Sequence, residues 1–208
     1  MYCLSSNDDF NQKIINTALV IVALFLAYMV FNGLRQPVQF TNKCKDREAV
    51  VVAKLKDIRL AETFFKARYG RYTSSFDSLV NYIDNEQIAI TKIVHDANDT
   101  TFTKNIIDTI GMKPVIDSIR VYNKNFTTTD FARIPFSNNE KFDINAGFIT
   151  RGGLKVAVVE VKAPYNTYLY GLDEQRIRNL AKQQEDINKY AGLKFGSMTE
   201  ASDAGNWE

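Results

Sequence analysis

Residues 14–34 read IINTALVIVALFLAYMVFNGL, and this stretch decides how the rest of the chain is organised. Between Ala18 and Phe31 no side chain is charged, and the Tyr28 hydroxyl is the only polar group. A helix of about 20 residues is roughly 30 Å long, enough to cross the hydrocarbon core of a bilayer. A surface helix of a soluble protein would carry a polar stripe, and this stretch has none. We therefore predict one transmembrane helix.

The residues around this stretch favour an uncleaved anchor over a signal peptide. A signal peptide begins with basic residues and ends in small ones. Here Lys13 is offset by Asp8 and Asp9, and a cut after Gly33 would place Phe31 where a small residue is needed. The predicted organisation is an N-terminal tail at 1–13, the anchor at 14–34, a linker at 35–46, a soluble domain at 47–198 and a C-terminal tail at 199–208. Pro37 is expected to interrupt or kink the helix at the linker.

Beyond the anchor, the pattern predicts an α+β domain with a second, amphipathic helix, then an antiparallel sheet and a C-terminal helix. Val51, Leu55 and Ile58 mark the amphipathic helix at 47–69, which Gly70 ends. Gly152-Gly153 is a hairpin signal between two strands. The assignments are a helix starting after Ser74 or Ser75, a strand at 87–94, a polar loop at 96–101, a short helix at 103–111, a strand or extended loop at 114–122, an extended stretch at 126–136, strands at 141–147 and 154–162, a loop at 164–171, a helix at 173–191 and a strand at 193–198.

The sequence contains no recognisable catalytic motif. The net charge of +2 produces no strong field for a polyanion, so a nucleic-acid partner is not predicted. There is no phosphate-binding glycine loop, no dinucleotide fingerprint and no Cys/His set with metal spacing. His95 is the only histidine and is expected at the surface or in a turn. We predict no enzyme, with no catalytic, cofactor-binding or metal residues and no cofactor; an enzyme would need an acidic cluster or His95 in a cleft.

The two cysteines lie on opposite sides of the anchor, so Cys3 and Cys44 cannot pair within one folded chain. Cys44 is either a free thiol or, in an oxidising compartment, half of a disulfide between neighbouring copies. Trp207 is expected to pack into a groove of its own domain rather than to face a partner.

Two further expectations concern carboxylates. Arg59 and Glu62 are close enough in a helix to form a local pair. Glu160 is expected to point outward or towards a lysine.

One region resembles a known family. Residues 53–83 read AKLKDIRLAETFFKARYGRYTSSFDSLVNYI, in which Phe65, Tyr69, Gly70 and Tyr72 occupy the helix end and the following turn. This order of anchor, amphipathic helix, Gly-Xaa-Tyr turn and strands resembles that of type IV pilins and pseudopilins. Pilins carry a glutamate within the apolar helix that sets the register of each subunit in the filament. Residues 14–34 contain no acidic residue, so the resemblance implies the architecture and not the filament.

The chain is also similar to a group of single-pass envelope proteins of Bacteroidetes. The shared segments are Ile58-Arg59, residues 66–72 (KARYGRY) and residues 205–208 (GNWE). This resemblance implies a place in the cell inner membrane with a periplasmic domain. The basic residues Arg35, Lys43 and Lys45 after the anchor would by themselves put the domain in the cytoplasm, but long domains translocate despite such charges.

The function predicted from these features is that of a structural or assembly subunit of a secretion- or pilus-like envelope machine. Its partners would be the lipid bilayer and either other envelope proteins or copies of itself. The alternative is a membrane-tethered periplasmic module that binds a ligand or peptide, suggested by Tyr165, Tyr168 and Tyr170. A deep pocket beside these tyrosines would favour that alternative.

Overall fold

The computed structural model describes residues 5–95 and 105–208, with side chains described for 12–31, 33, 35–90 and 111–208. It is an α+β protein, as predicted, and it divides into two units, Met1–Asp46 and Arg47–Glu208. The elements in chain order are α1 (Ser5–Tyr69), α2 (Phe76–Asn85), β1 (Gln87–His95), β2 (Asn105–Pro114), α3 (Val115–Arg120), β3 (Asp143–Arg151), β4 (Leu154–Pro164), α4 (Tyr165–Tyr168), α5 (Glu174–Glu185) and β5 (Gly192–Gly196).

In the first unit, α1 is long and apolar enough to cross a membrane. Its most apolar window has a mean hydropathy of 2.5, and none of that window is buried by protein. Leu19, Leu24 and Phe31 are each about 60–66% exposed. The helix continues through Pro37 and all of 35–46, so the predicted linker is helical. A proline removes one N–H donor, and a long helix can absorb that loss without ending.

In the second unit, the last third of α1 supplies one side of the core. Val51, Leu55 and Ile58 are fully buried, which confirms the amphipathic face predicted from their spacing. Gly70 ends the helix at φ 69°, and its N–H donates to the Lys66 carbonyl at 2.7 Å. Tyr69, the last residue of the helix, is 45% exposed.

The short helix α2 begins where the sequence predicted. The Ser75 hydroxyl accepts a hydrogen bond from the Ser78 N–H at 3.4 Å and caps the helix. Its buried residues are Phe76, Leu79, Tyr82 and Ile83.

The strands form two antiparallel sheets rather than the single predicted sheet. One is the ribbon β1–β2, and the other has the order β3-β4-β5. The prediction of a short helix at 103–111 is wrong from Asn105 onward, because these residues pair with β1. This stretch is rich in isoleucine, which favours strands, and the prediction of a helix gave that preference too little weight. Pairing with β1 stabilises the strand. Val115–Arg120 is helix α3, so the predicted strand or extended loop there is also wrong.

The predicted pairing of two strands across Gly152-Gly153 is confirmed, although β3 runs from Asp143 to Arg151 and so includes residues predicted to lie in the connection. Gly152 and Gly153 have φ of 57° and 79°, as a two-residue hairpin turn requires. The register of β3 with β4 runs without interruption from Asp143↔Lys162 to Arg151↔Leu154. On its other side β4 pairs with β5.

Other segments differ from the prediction in extent. The loop at 164–171 contains α4, and the stretch at 126–136 is a series of turns with one bridge, Arg133↔Lys141. Helix α5 ends at Glu185 instead of at the predicted residue 191, and Ile187 just beyond it is 55% exposed. The cause is Asn188, which adopts φ 55° and closes the helix early. The predicted polar loop at 96–101 lies outside the described residues.

Candidate functional site around Glu62 and the C-terminal tail

The C-terminal tail, residues 199–208, covers the outer edge of β5. Gly205 forms a bridge with Phe195. The Gly196 N–H donates to the Ala204 carbonyl, and the Asn206 N–H donates to the Lys194 carbonyl, both at 3.0 Å. The tail therefore acts as a short additional partner for the last strand.

The tail is also tied to α1, which lies far away in sequence. Arg59 Nη1 lies 2.8 Å from Glu208 Oε1 and 3.3 Å from the Asp203 carbonyl. Trp207 packs tightly over Gly205, where an added Cβ would lie 2.4 Å from the indole ring. Arg59 thus pairs with Glu208, not with Glu62 as the sequence predicted.

Glu62 is the least expected feature of this region. Its side chain is fully buried on the apolar face of α1. One oxygen accepts a hydrogen bond from the Thr73 N–H at 3.1 Å, and the other has no partner among the described residues. Burial raises the pKa of Glu62 to about 8, so this carboxyl is mainly uncharged at neutral pH. The sequence showed Glu62 only as a break in the apolar series and gave no sign of its burial.

A small cavity of about 160 Å³ lies between the end of α1, β4 and the tail. Lys66 and Tyr72 line it on one side, and Ala201, Ser202 and Asp203 line it on another. Lys66 Nζ lies 3.2 Å from the Tyr72 hydroxyl. Segment 58–59 therefore contacts 205–208 through Arg59 and Glu208, and segment 66–72 faces residues 201–203 across the cavity.

Glu160 on β4 points towards lysines, as predicted. Its two oxygens lie 2.6 Å from Lys162 Nζ and 3.1 Å from Lys194 Nζ. Burial by itself would raise the pKa of Glu160, but the hydrogen bonds from the two lysines outweigh it and lower the pKa. This carboxylate is therefore charged and paired, and it links β4 to β5.

The tyrosine-rich turn after β4 is held by Arg47. The Arg47 guanidinium donates to the carbonyls of Tyr168 and Tyr170, at 3.1 and 2.8 Å, and stacks 5.1 Å from the centre of the Phe136 ring. Tyr168 is fully buried, whereas Tyr170 is 59% exposed. Tyr168 is therefore part of the core and not available to a ligand.

Two open depressions flank this turn. One of about 400 Å³ is lined by Tyr170, Gly171 and the start of α5. The other, about 490 Å³, lies between Tyr165 and the later part of α5, and the two share Ile177 and Arg178. They have the size of a small-ligand site and are partly open to solvent.

The cysteines and the histidine singled out in the sequence do not form a site among the described side chains. Cys44 is only 6% exposed, which leaves little sulfur surface for a disulfide with a neighbouring copy. His95 is the last residue of β1, and its side chain lies outside the described ones, as does Cys3. Within the side chains that the structure describes, no three histidine, cysteine or carboxylate groups are placed to hold a metal ion.

Comparisons of this chain with family models, with curated proteins and with solved structures found no match.

Proposed function

We propose that this protein is a non-enzymatic, membrane-anchored structural or assembly subunit of a secretion- or pilus-like machine in the cell envelope. The observation that carries the proposal is the apolar part of α1, whose side chains are exposed and have no protein cover. Each Leu, Ile, Phe or Val contributes about 0.3–0.6 kcal/mol to insertion at the centre of a bilayer. A bilayer is the environment in which these exposed side chains become stabilising.

The second unit supports a structural role. Its buried or paired ionisable groups serve the fold: Glu62 accepts from the Thr73 backbone, Glu160 joins two strands, and Arg59 fixes the tail. A catalytic carboxylate would instead be poised beside a cleft and partnered with a group that can exchange protons.

The proposed location is the inner membrane with residues 47–208 in the periplasm. The basic residues Arg35, Lys43 and Lys45 oppose this orientation, but a long folded domain follows them and translocation of long domains is weakly sensitive to charge. The proposed partners are other envelope proteins or further copies of the chain.

A topology experiment tests the location. Because Cys44 is buried, the variant Cys44→Ala/Glu200→Cys provides an exposed thiol in the domain, and Cys3 provides one before the anchor. A membrane-impermeant maleimide is added to cells with a permeabilised outer membrane. Labelling at position 200 and not at Cys3 supports the proposal; the reverse pattern places the domain in the cytoplasm and refutes it.

A second experiment tests the assembly role. A photo-crosslinking amino acid at exposed positions of the domain is activated in cells, and the products are separated by mass. We expect discrete products with envelope proteins or with a second copy. The assembly role would be contradicted if no crosslinked product formed and no other protein or second copy co-purified in mild detergent.

A membrane-tethered binding module is the second candidate, favoured by the depression of about 490 Å³ beside Tyr165. Ala181 lines this depression, so Ala181→Phe should fill it. If the module binds a small molecule or peptide, native mass spectrometry of the parent purified from its membrane will show an added mass that the variant lacks. The same spectrum for both proteins would count against this function.

A further inference from the structure

One edge of the β3-β4-β5 sheet is covered by the chain and the other is open. The β5 edge is covered by the tail through the bridge of Gly205 with Phe195 and the bonds of Asn206. No strand of the described residues lies beside the β3 edge. A strand edge with unpaired backbone groups is a template for pairing with another chain, and proteins usually block such edges.

The turn geometry shows which backbone groups face the open side of β3. Across a two-residue hairpin loop, Arg151 and Leu154 are a hydrogen-bonded pair, and the residues bonded to β4 then alternate along β3. Ile144, Ala146, Phe148 and Thr150 therefore direct their N–H and C=O groups away from β4. Among the described residues, none of these groups has a backbone or side-chain hydrogen-bond partner across the open edge.

One bond just before β3 agrees with this alternation. The Phe142 N–H donates to the Ala132 carbonyl at 2.9 Å, so the open side at that end is occupied by the chain itself. The Gly152-Gly153 turn closes the other end. The available edge is the whole of β3, nine residues from Asp143 to Arg151, with Gly147 at its centre.

We propose that β3 pairs with β3 of a second copy of this chain, antiparallel and about a two-fold axis at Gly147. In this register Ile144 lies opposite Thr150 of the partner, and Ala146 opposite Phe148. All four residues have outward backbone groups, so every facing pair exchanges both of its hydrogen bonds. The two sheets then become one continuous sheet, and the proposal deepens the assembly function by naming the surface through which copies meet.

The charges at the ends of β3 select this arrangement. Asp143 comes to lie opposite Arg151 of the partner, and Arg151 opposite the partner's Asp143. Both side chains are exposed, and neither forms an ion pair within the described residues. A parallel, in-register pairing would instead place the two copies of Asp143 side by side, and like charges directly opposite are destabilising.

Hydrophobic contact supports the same register. Phe148 is 48% exposed, and a lysine ammonium lies 4.4 Å from its ring centre. In the paired sheet the ring lies across from Ala146 of the partner, whose small side chain leaves room for it. Aromatic side chains in cross-strand pairs contribute to pairing beyond the backbone bonds.

The first test exchanges the charges in the full-length protein in mild detergent, with mass measured by sedimentation. We expect a monomer–dimer equilibrium for the parent. Asp143→Arg and Arg151→Asp should each raise the dissociation constant of the dimer about tenfold. The dimer contains two exposed Asp143–Arg151 pairs, and each substitution turns both attractions into repulsions. The double variant should restore the dimer. Within one chain the two positions are about 27 Å apart along the strand, so restoration can arise only between copies.

The second test fixes the register by disulfide formation in a Cys3→Ser/Cys44→Ala background. Gly147→Cys should form a covalent dimer on mild oxidation, since facing residues in a non-hydrogen-bonded pair are about 4.5 Å apart, within disulfide range. An added Cβ at Gly147 meets only the flexible Met198 methyl, at 3.2 Å. Asn145→Cys lies on the same face, and its two copies would be about 14 Å apart, so it should not crosslink.

The outcomes separate this proposal from the assembly function. A monomeric parent, a dimer insensitive to the charge reversals, or crosslinking of Asn145→Cys in preference to Gly147→Cys would overturn the pairing of β3. None of these results affects crosslinking to envelope proteins in cells, which tests the assembly function separately.

Discussion

Replacing Glu62 with glutamine should change how the stability of the protein depends on pH. The folded-state pKa of about 8 lies above the ordinary value of 4.5, so the folded chain keeps a proton that the unfolded chain loses. The contribution of Glu62 to the free energy of unfolding is therefore most favourable below pH 4.5 and decreases as the pH rises towards 8. Each pKa unit corresponds to about 1.4 kcal/mol.

The magnitude follows from the same two values. At pH 7, keeping Glu62 protonated costs the folded state about 3 kcal/mol relative to acidic solution. Glu62→Gln has no proton to lose, and its amide oxygen can still accept from the Thr73 N–H. The amide nitrogen brings donors without a known partner, a cost of about 1–3 kcal/mol that does not vary with pH. We therefore expect the free energy of unfolding of Glu62→Gln to rise relative to that of the parent as the pH increases from 4.5 to 8.

The assay is urea unfolding of the full-length protein in detergent, followed by the emission of Trp207, the single tryptophan. The free energy of unfolding is measured at several pH values for the parent, Glu62→Gln and the control Glu200→Gln, whose position is exposed. The difference between parent and Glu62→Gln should change with pH, whereas that between parent and control should not. Parallel profiles for parent and Glu62→Gln would refute the assignment of a buried, neutral carboxyl.

Three other substitutions have defined outcomes. Gly196→Ala should lower the free energy of unfolding by about 3 kcal/mol or more, since the new Cβ would lie 2.0 Å from a β4 carbonyl. The control is Gly152→Ala, which is also at positive φ but in open space. It should lower the free energy of unfolding by about 1 kcal/mol. Arg59→Ala should shift the tryptophan emission to longer wavelength. Acid should cause the same shift in the parent, because the Arg59 hydrogen bond holds the pKa of Glu208 below its ordinary value and protonation breaks the pair. Arg47→Lys should cost about 1–2 kcal/mol in urea unfolding, because lysine cannot bridge two carbonyls and stack at once; an unchanged midpoint would contradict this.

The sequence predicted the features that depend on local rules. The buried face of α1 followed from the spacing of Val51, Leu55 and Ile58, and its end from Gly70. The cap at Ser75 also follows from chemistry within a few residues. These signals need no knowledge of the rest of the chain.

The errors arose where distant residues decide the structure. The isoleucines of 105–110 favour a strand only weakly, and strand β2 forms because β1 lies beside it. Glu62 appears in the sequence as a break in the apolar series of α1, and its burial depends on the distant turn that carries Thr73. The sequence did contain one unused signal: Asn188 is a residue type that tolerates positive φ, and it could have placed the end of α5 correctly.

The contact of Arg59 with Glu208 spans 149 residues, and this has a consequence for the order of folding. During synthesis α1 emerges early, while the strands of the domain and residues 199–208 follow it. The apolar face of the helix is therefore uncovered through most of the translation of the domain. Such transient exposure favours aggregation, so we expect the nascent chain to need a chaperone that holds this helix until the tail arrives.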